Sequence, residues 1–213
     1  ANIGNVSTNF TLSWSGQTAG TGSITGYQIQ SKIGSGSWTD FKSGTGTNSA
    51  TINLSSLTTL DRGDTVYFRV RLSDEFGFWS SYSTATASVY YSKLPTAPTY
   101  VSADKDVVAY KTDNFTLSWS GAKADAGSIT GYNIYYLKNG SWVRYSTVTG
   151  YSTTINLNNI TVNRGDTILF SVTALSSLSL ESDYSSALGR VLLAKLPTSP
   201  TWLSVSHSEI KRN

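Results

Sequence analysis

The stretch NFTLSWSG occurs twice in this chain, at residues 9–16 and again at residues 114–121. In the first copy, large apolar residues alternate with small hydroxylic ones, and the apolar members are Phe10, Leu12 and Trp14. This alternation gives an extended chain one apolar and one polar face, so it predicts a β-strand that lies against a hydrophobic core. Two identical strands in one chain predict two copies of one fold unit.

The two copies remain in register along most of the sequence. Their offset is 105 residues at Phe10 and Phe115, and it falls to 102 residues at the motif KLPT, which begins at Lys93 and again at Lys195. Small loop deletions between fixed strands produce such a decrease. We therefore divide the chain into module 1 (residues 1–92), which lacks most of its first strand, module 2 (residues 93–194), and a linker with the first strand of a further module (residues 195–213).

Each module contains further stretches with the alternation of strands, separated by turns rich in Gly, Ser and Asn. The last segment of each module, which ends at Tyr91 or Ala194, is weakly patterned, as is typical of an edge strand. Apolar residues nowhere recur at a helical period with capping residues, so we expect essentially no helix. About seven short strands per module predict a sandwich of two sheets. The expected core includes Trp14, Trp119, Tyr27, Tyr132, Phe68 and Phe170.

The composition narrows the class of protein. The chain is 38% hydrophobic and 12% aromatic, which is typical of a globular protein and not of a disordered one. Its 16 Lys and Arg are spread among 13 acidic residues without a basic stripe, so nucleic-acid binding is not expected despite a net charge of +3. No apolar run approaches the length of a membrane span. There is no Cys, so neither disulfides nor thiolate metal sites hold the modules together.

These features together resemble fibronectin type III modules. The resemblance rests on the Trp of the second strand, the SITGY stretch before the third, the GDTxxFxV pattern of the sixth, and the LPTAPT or LPTSPT hinge. It covers nearly the whole chain and implies an all-β fold of tandem immunoglobulin-like sandwiches. One departure is the absence of the family's tyrosine corner, because Val66 and Ile168 hold that position. The Ser/Thr/Gly-rich style is similar to modules of Gram-positive bacterial surface proteins and of phage tail or fibre proteins.

An Arg-Gly-Asp tripeptide occurs in each module, at Arg62 to Asp64 and at Arg164 to Asp166. In the resembled family, this tripeptide binds integrins from the loop between the sixth and seventh strands. Here it precedes the sixth strand. We therefore interpret it as a tight turn, in which the aspartates accept hydrogen bonds from the local backbone.

The loop at residues 74–83 of module 1 carries Phe76, Phe78 and Trp79 among turn residues. Exposed aromatic rings of this kind can stack on sugar faces or on a partner protein. The matching loop of module 2 has leucines and no Phe or Trp, so a ligand shared by both modules is not expected. Packing against a neighbouring module is the favoured interpretation, and ligand binding is the alternative.

No combination of residues indicates catalysis, a cofactor or a metal site. His207 is the single histidine, and the neighbouring acids Glu181 and Asp183 are interpreted as solvated loop charges rather than as an acid/base pair. Asp104 and Asp106 supply two carboxylates for an intermodule calcium ion, but two acids without further ligand spacing do not define such a site.

The sequence thus favours non-catalytic spacer modules of a longer extracellular, cell-surface or virion-associated array, whose partners are neighbouring modules. The alternatives are a module that binds carbohydrate or protein through the loop aromatics, and an accessory module of a secreted polysaccharide-degrading enzyme. Residues 196–206 repeat the opening strand of a module. We expect the chain to be part of a longer array; the alternative is that this strand completes module 1 of a neighbouring copy.

Overall fold

The computed structural model describes residues 1–46 and 48–204, which form strands and no helix. The strands of module 1 are β1 (Asn2–Ile3), β2 (Phe10–Ser13), β3 (Ile24–Ile33), β4 (Thr39–Thr45), β5 (Ser49–Ile52), β6 (Thr65–Asp74) and β7 (Ala87–Tyr91). Those of module 2 are β8 (Tyr100–Ala103), β9 (Val107–Val108), β10 (Phe115–Ser120), β11 (Ile129–Lys138), β12 (Ser141–Val148), β13 (Ser152–Ile155), β14 (Thr167–Ser176) and β15 (Gly189–Leu193). The expected all-β class is confirmed.

Module 2 is a complete sandwich of two sheets. One sheet has the order β13-β10-β8, and the other has the order β12-β11-β14-β15-β9. Three strands that face a sheet of four, extended by one short strand, give the strand order of a fibronectin type III sandwich. The chain passes from one sheet to the other after β10, after β12 and after β13, so that both sheets contribute side chains to one core.

The core of module 2 is formed by alternate residues of the facing strands. Phe115 of β10 lies against Phe170 of β14, with ring centroids 5.6 Å apart, and both side chains are fully buried. Trp119 lies edge-on against Tyr132 of β11 at 5.4 Å. These contacts join the two sheets, because each pair takes one ring from each sheet.

Module 1 repeats this arrangement with one strand fewer. Its larger sheet has the order β1-β7-β6-β3-β4, and its smaller sheet contains β2 and β5 alone. The counterpart of β8 is missing, so one edge of β2 has no strand beside it in the described part of the chain. As a result Trp14, which packs on Tyr27 at 5.3 Å, is only partly buried, whereas its counterpart Trp119 is 2% exposed.

The last strand of each module differs from the expectation. The weak pattern of residues 87–91 and 189–193 predicted an edge strand, and this prediction was wrong. A short parallel strand covers the outer edge of each: β1 pairs with β7, and β9 pairs with β15. Two-residue strands with little alternation give no periodic signal, which is why the sequence did not reveal them.

The unequal burial of the two tryptophans predicts unequal losses of stability. We expect Trp119→Ala to destabilise module 2 by about 3–5 kcal/mol, because it removes a large side chain from a closed core. Trp14→Ala, the matched change in module 1, is expected to cost clearly less. Scanning calorimetry, which resolves the unfolding of two modules as separate transitions, measures both. Equal losses would contradict the assignment of an open edge to module 1.

Candidate functional site

The Arg-Gly-Asp turn of module 1 is a structural element. Asp64 Oδ2 accepts the backbone N–H of Asp61 at 2.9 Å, and Gly63 has a φ of 101°, a conformation that favours glycine. The Arg62 guanidinium donates to the carbonyl oxygens of Gly4 at 3.2 Å and Ser92 at 2.7 Å. Arg62 therefore ties the first strand of the module to its last.

The same turn recurs in module 2 with the same contacts. Arg164 Nη1 donates to the carbonyl oxygens of Ala109 at 2.8 Å and Ala194 at 3.0 Å, and Asp166 accepts the N–H of Asn163 at 2.8 Å. Because each Arg side chain binds its own module's backbone, the interpretation of the tripeptide as a turn is confirmed.

The aromatic loop of module 1 presents its rings to solvent from a fixed backbone. Asp74 Oδ1 accepts the N–H groups of Phe76 at 3.0 Å and Phe78 at 2.9 Å. The exposed fractions are 61% for Phe76, 74% for Phe78 and 45% for Trp79. Trp79 also lies over the guanidinium of Arg71, at 4.9 Å. The three predicted site residues thus lie together at one end of the module.

A row of cations and aromatic rings continues from this loop across β6 and β3. We call it the cationic face, and it consists of Lys32, Trp38, Tyr67, Arg69, Arg71, Trp79 and Tyr82. The Arg69 guanidinium lies between Trp38 at 4.6 Å and Tyr82 at 4.4 Å, and it donates to Gln30 Oε1. Arg71 donates to Gln28 Oε1 at 2.7 Å. Each cation lies over an aromatic ring, and both arginines also donate to a glutamine side chain. These contacts fix the positions of the charged side chains.

The cationic face is not evident from the sequence, in which the basic residues occur as scattered singles. Arg69 and Arg71 alternate with buried Phe68 and partly buried Val70, which was the available signal that both arginines share one surface. Lys32 joins them only through the pairing of β3 with β6, which places it opposite Tyr67. Strand register of this kind is not visible in one sequence.

The corresponding face of module 2 is different. Glu181 accepts hydrogen bonds from Asn133 at 2.9 Å, from Tyr135 at 2.8 Å and from Thr173. Burial raises the pKa of the Glu181 carboxyl, but these hydrogen bonds and the charge of Arg144 outweigh burial, and the pKa lies below its ordinary value. A carboxylate thus occupies the face on which module 1 carries cations, so the two modules do not present one common binding surface.

The two modules meet at a joint built around the hinge. Pro95 and Pro98 of the hinge are both buried. Thr96 is fixed to module 2 by two hydrogen bonds, since its N–H donates to the carbonyl of Lys123 at 2.8 Å and its Oγ1 accepts the N–H of Lys123 at 2.9 Å. The hinge is therefore held by packing and by pairing, in addition to the fixed φ of its prolines.

A single carboxylate of module 2 accepts hydrogen bonds from the last residues of module 1 and from the hinge. Asp125 Oδ2 accepts the Tyr90 hydroxyl at 2.8 Å, the Lys93 N–H at 3.0 Å and the Ser92 hydroxyl at 3.3 Å. The hydrogen bonds from Tyr90 and from the Lys93 backbone lower the pKa of the Asp125 carboxyl, which is exposed. Asp125 therefore accepts these bonds as a charged group at neutral pH, and charge-assisted hydrogen bonds are the stronger kind.

The loop between β14 and β15 forms the other side of the joint. It lines a cleft together with β1 and Arg62 of module 1. Gly4 lies so close to this loop that a Cβ on it would be 2.3 Å from the carbonyl oxygen of Leu178, which leaves no room for a larger residue. This loop of module 2 is the counterpart of the aromatic loop of module 1. The two modules repeat one fold, and module 2 turns this loop toward module 1. The aromatic loop with Phe76, Phe78 and Trp79 therefore lies at the end of module 1 that faces away from module 2.

The described residues contain no cluster of three or more His, Cys, Asp or Glu side chains that could hold a metal ion. Asp104 Oδ1 instead accepts the backbone N–H of Thr116 at 2.7 Å. His207 lies outside the described residues. Among the described residues, no helix is long and apolar enough to cross a membrane.

The solved structures that are similar to this chain include fibronectin type III domains. No protein-family model matches the chain, and no curated protein matches it. One solved structure, FN3tt mut, is 13% identical, with a TM-score of 0.37, over 48% of this chain and all of its own. The FN1-FN3 domains of chicken CNTN1 are 20% identical, with a TM-score of 0.39, over 91% of this chain and 65% of theirs. The Clostridium thermocellum CbhA fibronectin(III)-like modules are 16% identical, with a TM-score of 0.39, over 95% of this chain and 93% of theirs.

The strand order defines the class of protein. In module 2 the sheet β13-β10-β8 faces the sheet β12-β11-β14-β15. Module 1 has the same arrangement, except that no described strand takes the place of β8. The chain therefore has the fold of tandem immunoglobulin-like β-sandwiches, with the strand order of fibronectin type III modules.

The contacts of Asp125 predict that its loss loosens the joint. We expect Asp125→Ala to broaden the distribution of distances between spin labels at Ser43→Cys and Ser141→Cys, measured by electron paramagnetic resonance. The chain has no native Cys to interfere. Asp183→Ala, an exposed acid of the same module, is the control and should leave the distribution unchanged.

The same carboxylate gives the joint a pH dependence. Because the pKa of Asp125 is lowered in the folded chain, its contribution is fully present above the ordinary Asp pKa of about 4 and is lost as the pH falls through the folded value. Acidification below about pH 4 should therefore broaden the distances in the wild-type chain and add little in Asp125→Ala. Identical acid responses of the two chains would contradict this assignment.

Proposed function

We propose that the chain serves as a structural spacer in an extracellular, cell-surface or virion-associated array, without catalysis of its own. A spacer needs modules that keep their relative orientation, because a freely jointed pair holds neither a distance nor a direction. Domains within one chain move relative to each other unless their interface is held.

The observation that carries the proposal is the set of contacts on both sides of the hinge. Asp125 accepts hydrogen bonds from two residues of module 1, Tyr90 and Ser92, and from Lys93 of the hinge, and the loop at Leu178 packs against Gly4. Pro95 and Pro98 of the hinge are buried. A joint fixed at the hinge and on both flanks resists bending in more than one direction, which supports the role of a spacer of defined geometry.

The spacer role predicts a narrow range of intermodule distances. For the label pair at Ser43→Cys and Ser141→Cys, we expect a single narrow distribution in the wild-type chain. Pro95→Gly combined with Pro98→Gly should broaden it, because glycine frees the φ angles and empties two buried positions. Pro197→Gly with Pro200→Gly, the same change in the exposed second hinge, is the matched control. A wild-type distribution as broad as that of the first variant would sink the spacer role.

A second candidate function is the binding of anionic carbohydrate at module 1. The observation that favours it is the continuity of the exposed aromatic loop with the cationic face. Trp79 joins the two, since its ring is 45% exposed and stacks on Arg71. Exposed rings contact the apolar faces of sugars, and the arginines supply donors for carboxylate or sulfate groups.

This second candidate predicts binding that depends on Trp79 and Arg71. We expect a sulfated or uronic-acid polysaccharide to bind the wild-type chain in isothermal titration, more weakly at high salt because exposed charges are screened. Trp79→Ala and Arg71→Gln should each reduce the affinity by about tenfold, which corresponds to about 1.4 kcal/mol. Tyr151→Ala removes an exposed ring of module 2 and is the control. Equal affinities of all variants would contradict a site at this surface.

A further inference from the structure

We propose that the cationic face is a track for a linear polymer of uronic acids, with one cation on each of three successive rows of the sheet. The proposal rests on the second candidate function, anionic carbohydrate binding at Trp79 and Arg71, and it extends that site to Lys32 at the far end of the face. The ligand is therefore an extended chain of acidic sugars and not a single sugar at the loop. The face lies on the paired strands β3 and β6, inside module 1.

The register of β3 with β6 places the cations at regular intervals. It forms three successive rows, each with one cation: Gln28 with Arg71, Gln30 with Arg69, and Lys32 with Tyr67. Neighbouring rows are two residues apart along the strands, which corresponds to about 6.5–7 Å. Side chains of one face recur at this interval, because strand residues alternate between the two faces. Positive charges at regular intervals match a polymer whose acidic groups also recur at regular intervals.

The three cations are held by neutral groups. Lys32 Nζ lies over the rings of Trp38 at 5.2 Å and Tyr67 at 5.6 Å. The two arginines contact ring faces and glutamine oxygens in the same way. Among the described residues, no carboxylate forms an ion pair with any of the three. A ring or an amide fixes a cation without cancelling its charge, so the face attracts anions.

Each arginine also keeps N–H groups for a ligand. Arg71 donates to Gln28 through Nε, so neither of its Nη groups donates to a described residue. Arg69 uses Nε and Nη2 for Gln30, which leaves Nη1. A carboxylate can bind these N–H groups while the rings and amides keep the guanidinium groups in place.

The rings of the face separate the charges. Tyr82 contacts both guanidinium groups, at 4.4 Å from Arg69 and 4.9 Å from Arg71. Trp38 is shared in the same way by Arg69 at 4.6 Å and Lys32 at 5.2 Å. Because each neighbouring pair of cations shares a ring and stands one row apart, each is placed to bind a separate acidic group. This arrangement favours a polymer over a small ion.

Module 2 shows that the fold does not require these cations. Its three corresponding rows contain none, and their members are Asn133, Thr173, Tyr135, Ser171, Leu137 and Leu169. Its one cation beside these rows is Arg144 on β12, which takes the place of Asp40 of module 1. The same sheet is therefore built with and without the row of positive charges, so the row is a property of the surface of module 1.

One acidic residue borders the track. Asp40 on β4 stands opposite Gln30, and its Oδ1 accepts Gln30 Nε2 at 2.8 Å. Gln30 thus lies between this carboxylate and Arg69, which donates to the oxygen of the same amide. The negative charge of Asp40 weakens the attraction of the middle row for an anion. Asn in its place keeps the acceptor and removes the charge.

Oligogalacturonates of defined length test the track, because every sugar of these chains carries a carboxylate. In isothermal titration, we expect a decasaccharide to bind the wild-type chain about tenfold more tightly than a disaccharide, and its methyl ester not to bind. Lys32→Gln should lower the decasaccharide affinity about fivefold and leave the disaccharide affinity unchanged, since the disaccharide covers only the end of the face at Trp79. Trp79→Ala should weaken both.

Further variants separate charge from packing. Lys32→Arg keeps the charge and should retain the affinity, whereas Asp40→Asn should raise the decasaccharide affinity about two- to fivefold. Lys138→Gln removes an exposed lysine of module 2 and is the control for net charge.

Equal decasaccharide affinities of the wild-type chain and Lys32→Gln, or equal affinities for short and long chains, would overturn the track. So would the failure of every oligogalacturonate to bind. The polysaccharide titration with Trp79→Ala and Arg71→Gln decides the second candidate function separately, so the track can fail while the site at the loop stands.

Discussion

The edge-to-face contact of Trp119 with Tyr132 takes one ring from each sheet of module 2, and the geometry of the whole module depends on it. It fixes β10 over β11, and β10 then positions β8 and β13 on its two sides. Trp14 and Tyr27 make the same contact in module 1 at 5.3 Å. There, however, no described strand lies on the outer side of β2, so Trp14 is partly open to solvent while Tyr27 remains buried. The same ring contact thus occurs in both modules, and the strand beside it decides how far the tryptophan is buried.

Much of the fold could be read from the sequence because the core residues carry strict alternation. Phe68 and Phe170 lie on strongly patterned strands, and both are buried as alternation requires. The short strands β1 and β9 were missed, since two residues cannot display a period. The expected turn role of Asp64 and Asp166 was correct, but the sequence did not reveal that the neighbouring arginines bind backbone carbonyl groups.

The surfaces were harder to predict than the core. Asp125 looks like any loop acid in the sequence, and its role appears only when the hinge brings Tyr90, Ser92 and Lys93 to one oxygen. The cationic face likewise depends on the register of β3 with β6. Both features join residues that are distant in the chain, and one sequence contains no signal for such contacts. The aromatic loop was visible because its residues are neighbours.

The parallel pairing of β9 with β15 determines how module 2 responds to tension. These strands lie next to the two ends of the module, and a pull on the chain in opposite directions slides one along the other. Their hydrogen bonds are then loaded together in shear, instead of breaking one after another as in an unzipped hairpin. Arg164 adds a clamp across the same pair of strands, because it binds Ala109 and Ala194. The arrangement favours resistance of module 2 to a force that pulls its two ends apart.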